Sequence, residues 1–187
     1  MWWVTKENPM KTRLMMFAAV VSAAMMSPQA KAGDSPTMDE QLHNVISMNC
    51  MLTLVDQKLM DGADPNYKNQ DASLGVKVGD NALIAALRRP CHEKVIKRMV
   101  TGKVPVNINV MHVKKANVET PGVDGLTPLV LAVMLDDVSI VKMILEAGAD
   151  PDKKIVAPNN AQTNGKTAID FATGKHAKKI KKLLKKN

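Results

Sequence analysis

The sequence predicts an all-α solenoid of about four helix-turn-helix repeats with enlarged β-hairpin or finger loops, behind an N-terminal export signal. Three observations carry that prediction. A short unit that opens one helix returns along the chain, a second helix with apolar residues at helical spacing follows each copy, and Gly-centred stops separate the pairs. Size agrees, because 187 residues at 45% apolar content can bury a core. Neither a disordered tail nor a membrane bundle has that composition.

The first 32 residues read as a secretory signal peptide. Lys11 and Arg13 precede the apolar run Leu14 to Met26, and Ser27-Pro28 leads to the small-x-small site Ala30-Lys31-Ala32, so cleavage is predicted before Gly33. The apolar run has 13 residues, short of the ~20 that span a bilayer, which weighs against an uncleaved membrane helix. Met10 begins a leader by itself, leaving two possible starts. No Cys follows the leader closely, which argues against a lipid anchor. Residues 33–38 read as a linker. The mature chain would hold 155 residues with 22 Lys+Arg against 17 Asp+Glu, and its only aromatics are Tyr67 and Phe171. Few platforms remain for stacking bases or sugars.

The clearest repeat runs Asp124-Gly125-Leu126-Thr127-Pro128-Leu129-Val130-Leu131-Ala132, then Ile140-Val141-Lys142-Met143-Ile144-Leu145, then Gly148-Ala149-Asp150-Pro151. Thr127 can cap the first helix and Pro128 fits its first turn. Leu129 and Ala132 turn an apolar face inward, and Gly148 ends the second helix. This unit resembles an ankyrin repeat across its full length.

Weaker copies flank it. Asn164-Gly165-Lys166-Thr167-Ala168-Ile169-Asp170-Phe171-Ala172 opens another first helix, followed by Ile180, Leu183 and Leu184. Upstream, Gly79-Asp80-Asn81-Ala82-Leu83-Ile84-Ala85-Ala86 precedes Val95, Ile96, Met99 and Val100, with Asn81 as an equivalent cap. The earliest copy keeps Leu54-Val55 through Leu59 and Asp61-Gly62-Ala63-Asp64-Pro65-Asn66, after a degenerate helix around Leu42 to Met48. Repeats are therefore expected at about 39–66, 79–107, 124–152 and 164–187, within a domain of 39–187. Terminal copies are atypical because one face meets water.

Spacing departs from the resemblance. Ala86 to Ala132 is 46 residues and Ala132 to Ala172 is 40, against a family period of 33. The extra residues are expected between the Gly-Ala-Asp stop and the next helix, where the family carries its fingers. The early residues of the run Val106 to Val113 alternate as a half-buried strand would, and the run reads as one arm of a β-hairpin returning through Ala116 to Pro121. A mobile loop is the alternative.

Catalysis finds no support. His43, His92, His112 and His176 fall in different repeats without a paired carboxylate or metal-ligand spacing, and each reads as a surface or turn histidine. No nucleophile elbow, phosphate-binding Gly-rich loop or Cys-x-x-Cys occurs. Neither an enzyme nor a cofactor nor a metal is expected. Cys50 and Cys91 each sit four residues before the first apolar position of a second helix, Asp136 and His176 holding that place in the other repeats. A secretory leader points to an oxidising compartment. Neighbouring helices lie ~8–10 Å apart, too far for a disulfide unless these turns lean inward, so a bond and two free thiols both stay open. Lys175, Lys178, Lys179, Lys181, Lys182, Lys185 and Lys186 cover the solvent face of the last helix, as a terminal cap requires; contact with anionic lipid or glycan is the other reading.

The resemblance implies a protein partner bound on the concave side. Carried over position by position, it implicates Lys77, Val78, Asp80, Arg88 and Arg89, then Val123, Asp124, Leu126, Met134 and Leu135, then Thr163, Lys166 and Lys175. Met111, His112, Lys114 and Lys115 would join from the hairpin. The implied groove has an apolar middle at Met134 and Leu135 and basic flanks, favouring an acidic protein partner. Nucleic acid is not expected. A periplasmic or secreted monomer that binds or sequesters a protein is the reading that follows.

Overall fold

Each helix starts where a side chain can satisfy its free N–H groups. The computed structural model describes residues 35–71 and 76–186, so the leader and its cleavage site lie outside the described residues. Thr37 opens α1 (Met38–Met48) with a capping box: its backbone N–H donates to Glu40 Oε2 at 2.8 Å and its hydroxyl accepts from Glu40 N. Asn81 caps α3 (Ala82–Arg88) and Thr127 caps α5 (Pro128–Met134), each accepting from the N–H three residues on. The paired second helices are α2 (Leu52–Met60), α4 (Glu93–Thr101), α6 (Val138–Glu146) and α7 (Ala177–Leu184).

These elements stack in two layers. The first helices pack α1 on α3 on α5 and on a 3-10 turn at Ala168–Phe171, and the second helices pack α2 on α4 on α6 on α7. The core between them is aliphatic. Leu42, Ile46, Leu83, Leu87, Ile96, Met99, Leu129, Ile144 and Ile180 are each fully buried. In the third repeat Ile140, Val141, Ile144 and Leu145 all face inward, as their spacing predicts.

Four local expectations need correction. The fourth repeat has a 3-10 turn where a first helix was expected. Asp170 Oδ2 accepts from Thr167 N at 2.8 Å and tightens the turn, and Ala168 and Ala172 are its buried residues, against six consecutive buried residues in α5. Leu54 is 43% exposed while Val55 and Leu59 face the core, because no repeat precedes this one to cover the opposite face. His43 is 2% exposed inside α1, where its Nε2 meets the Tyr67 carbonyl at 3.0 Å.

The fourth concerns the hairpin. Its strands are β1 (Lys103–Val106) and β2 (Asn109–His112), paired Val106↔Asn109 through Lys103↔His112. Val106 to Val113 is thus a strand end, a turn and the return strand. Asn107 turns the chain with φ +54°, a conformation asparagine tolerates, and Ile108 is 98% exposed at the tip. The insertion also lies earlier than expected. Val113 N donates to Gly102 O at 2.9 Å and closes the hairpin base, after which Ala116 N bonds Met99 O just as Ala149 N bonds Ile144 O. The hairpin therefore enters between the helix stop and the alanine that follows it. Gly102 has φ +62°, and a Cβ there would stand 2.6 Å from the Val113 carbonyl oxygen, so only glycine fits.

Candidate functional site

The fingers that follow each helix pair lock onto one another. Asn117 N donates to Asn66 Oδ1 at 2.6 Å and Asn66 Nδ2 donates to Lys115 O at 2.9 Å, joining the first finger to the second. Asp150 N donates to Glu119 Oε1 at 2.9 Å and Lys153 Nζ to Glu119 Oε2 at 2.6 Å, joining the second to the third.

A charged network supports the middle of this rim. Arg88, at the end of α3, donates through Nε to Asp80 Oδ2 and through Nη2 to Asp124 Oδ1, both at 2.7 Å. Lys77 reaches Asp124 Oδ2 at 3.2 Å, and Val123 N donates to Asp80 Oδ1 at 3.1 Å. Burial pushes the Asp124 carboxyl up, but the hydrogen bonds and charge of Arg88, with help from Lys77, outweigh it and hold it down at about 2. Burial likewise works against the Arg88 guanidinium, and its two carboxylates more than compensate.

This network changes the role of several expected contact residues. Asp80 is fully buried and Arg88 is largely covered, so both act as structure rather than as an open surface. Leu126, just before the Thr127 cap of α5, is buried in the core, and Leu135 packs against the core edge. Val78, Arg89, Val123 and Met134 remain exposed, with Lys115, Lys166 and Lys175. Lys77 and Lys114 are exposed but paired, to Asp124 and Asp64. Lys166 lies over the Phe171 ring at 5.8 Å. Met111 and His112 are exposed on β2.

Exposed valines stand on three successive fingers: Val78, Val123 and Val156. A Val123 methyl lies so close to Gly79, the residue after Val78, that a Cβ there would stand 2.5 Å away, so the second finger packs on the first next to Val78. Val156 was missed by sequence reasoning. Its setting, Lys-Ile-Val-Ala, gives no sign that Ile155 and Ala157 turn inward and leave it outside. The same layout predicts an apolar strip along the rim.

At the helix-helix turns, Cys50 and Cys91 form a disulfide with Cα atoms 5.6 Å apart. The turns do lean inward: Cys50 adopts φ +51°, and its counterpart Asp136 adopts φ +56°. Asp136 carries the equivalent tie between the last two repeats, accepting from His176 N at 3.0 Å and meeting His176 Nδ1 at 3.1 Å. Between these ties lies an open depression of about 370 Å³ lined by Pro90, Cys91, His92, Glu93, Leu135, Asp137 and Ile140. Among the described residues no cluster of three or more His, Cys, Asp or Glu could hold a metal ion.

The last helix buries Ile180 and Leu184 and turns Lys178, Lys179, Lys181, Lys182, Lys185 and Lys186 to solvent. No described helix is long and apolar enough to cross a membrane. The family model for ankyrin repeats, in three copies, matches residues 42–155. No curated protein matches the chain.

Proposed function

The chain belongs to the ankyrin-repeat family, a family of protein-interaction modules, and on that premise we propose that it works in the periplasm as a non-catalytic module that binds or sequesters a protein. The observation that carries this reading is the exposure of Val78, Val123 and Val156 on three interlocked fingers, with Met134 and Arg89 open at the ends of two successive first helices. A rigid rim that exposes apolar side chains holds a partner without paying to order itself. The exposed cations Arg89, Lys166 and Lys175 favour a partner with acidic groups around an apolar centre. An export leader and the disulfide are consistent with an oxidising compartment.

The test is affinity capture with the full-length exported chain from periplasmic extract, compared with Val123→Asp and Arg89→Glu. Arg88 is left unchanged because it holds the fingers together. A partner retained by the native chain and lost from both variants supports the surface, whereas equal recovery on all three sinks it. The six exposed lysines of α7 and the two residues that follow it favour a second reading, contact with an anionic envelope surface. Salt-reversible sedimentation with anionic vesicles, abolished by Lys179→Glu and Lys182→Glu, would favour it over the finger surface.

A further inference from the structure

The hairpin has two edges of unequal chemistry. Val113 N bonds Gly102 O, so hydrogen-bonded pairs fall at every second position and include Val104↔Met111 and Val106↔Asn109. Pro105↔Val110 and Lys103↔His112 are then the non-bonded pairs, with their backbone polar groups turned outward. On β1 the outward donor at Pro105 is missing, which blunts that edge. On β2 the N–H and C=O groups of Val110 and His112 both face out, and neither has a backbone partner among the described residues.

Side chains agree with an open edge. Val104 is fully buried and anchors β1 on α2 and α4, while Val106, Ile108, Val110 and Met111 are all exposed. No Asp or Glu occurs from Thr101 to Lys115, and Lys103, Lys114 and Lys115 lie at the hairpin base. Lys114 is paired with Asp64; Lys103 and Lys115 have no ion-pair partner among the described residues.

We infer that the free edge of β2 takes an extended segment of another protein as a third strand, apolar along the hairpin and acidic where it passes Lys103 and Lys115. Backbone bonds to Val110 and His112 give the affinity, and Val110, Met111 and the lysines select the side chains. A second copy is the weaker occupant. Two β2 edges paired about a two-fold axis set base against tip, so the lysines meet no acid and the charge stays uncompensated.

The probe is a fluorescein-labelled ten-residue peptide of alternating valine and threonine ending in two aspartates, read by fluorescence anisotropy on the full-length oxidised protein. Two further peptides carry N-methyl groups on alternate residues, in the two opposite registers. One register should lose binding and the other keep it. Val110→Pro removes the outward donor without touching the β1–β2 bonds, and should weaken the parent peptide about ten-fold, equal to about 1.4 kcal/mol. Lys115→Glu should weaken the aspartate peptide and leave a serine-ended peptide unchanged. If Val110→Pro alters the thermal midpoint, the N-methyl pair decides by itself. Equal binding of both N-methyl peptides, no binding of the parent at about millimolar protein, or sedimentation-equilibrium dimers that Val110→Pro dissolves would each overturn the proposal.

Discussion

The disulfide offers the sharpest test of the energetics. Cys50 and Cys91 are 41 residues apart, so in the chain-entropy treatment the bond removes about 4 kcal/mol of loop freedom from the unfolded chain. For a domain of this size about 1 kcal/mol moves the melting point by roughly 2–4 °C, so Cys50→Ala with Cys91→Ala should lower it by roughly 8–16 °C. A second variant separates the bond from its backbone. Cys50 holds φ +51°, where a side chain costs about 1 kcal/mol relative to glycine. Cys50→Gly with Cys91→Ala should recover about that much. Differential scanning calorimetry of native, double-alanine and glycine-alanine proteins, with non-reducing mass spectrometry of the native chain, makes the comparison. Two free thiols in the native protein, or coincident melts of native and double-alanine protein, would refute the reasoning.

Four other perturbations follow from contacts described above. Arg88→Met leaves the buried Asp80 carboxylate without its cation and should cost about 3 kcal/mol in urea denaturation. Asp124 is held at about 2 against 3.8 when unfolded, so its stabilising contribution is complete above pH ~4 and drains away as pH falls toward 2; the loss should be about 1–2 kcal/mol, absent in Asp124→Asn. Burial lowers the His43 pKa, with the Tyr67 carbonyl opposing, so stability should begin to fall as pH drops below about 6.5, and His43→Gln should flatten that limb. Ile180→Ala, fully buried under the lysine-bearing face, should cost about 2–4 kcal/mol, whereas Lys182→Ala should change stability little in the same denaturation assay.

What could be read from the sequence was local. Thr127-Pro128 and Gly148-Ala149-Asp150 declare a helix start and stop within a few residues, and Ile140, Val141, Ile144 and Leu145 declare the buried face. The hairpin register was harder, since Val104 to Val110 alternates straight through the turn and only Asn107 hints where the chain reverses. Partners distant in sequence were not legible. Arg88 looks like a free surface cation until Asp124, 36 residues later, arrives beside it, and His43 looks exposed until the Tyr67 carbonyl covers it. The exposed finger valines were partly visible, in Val78 and Val123, because the exposure of Val156 depends on how Ile155 and Ala157 pack.

The closed base of the hairpin has an architectural consequence. Gly102 and Val113 meet through one hydrogen bond, and the Ala116-to-Met99 bond resumes the helix stop as though nothing had intervened. The arm is thus a cassette in a fixed socket. Shortening it, lengthening it or replacing Pro105 to His112 with another two-stranded element, while the buried Val104 stays on α2 and α4, should leave the neighbouring repeats in place, which makes this point an anchorage for grafted recognition loops.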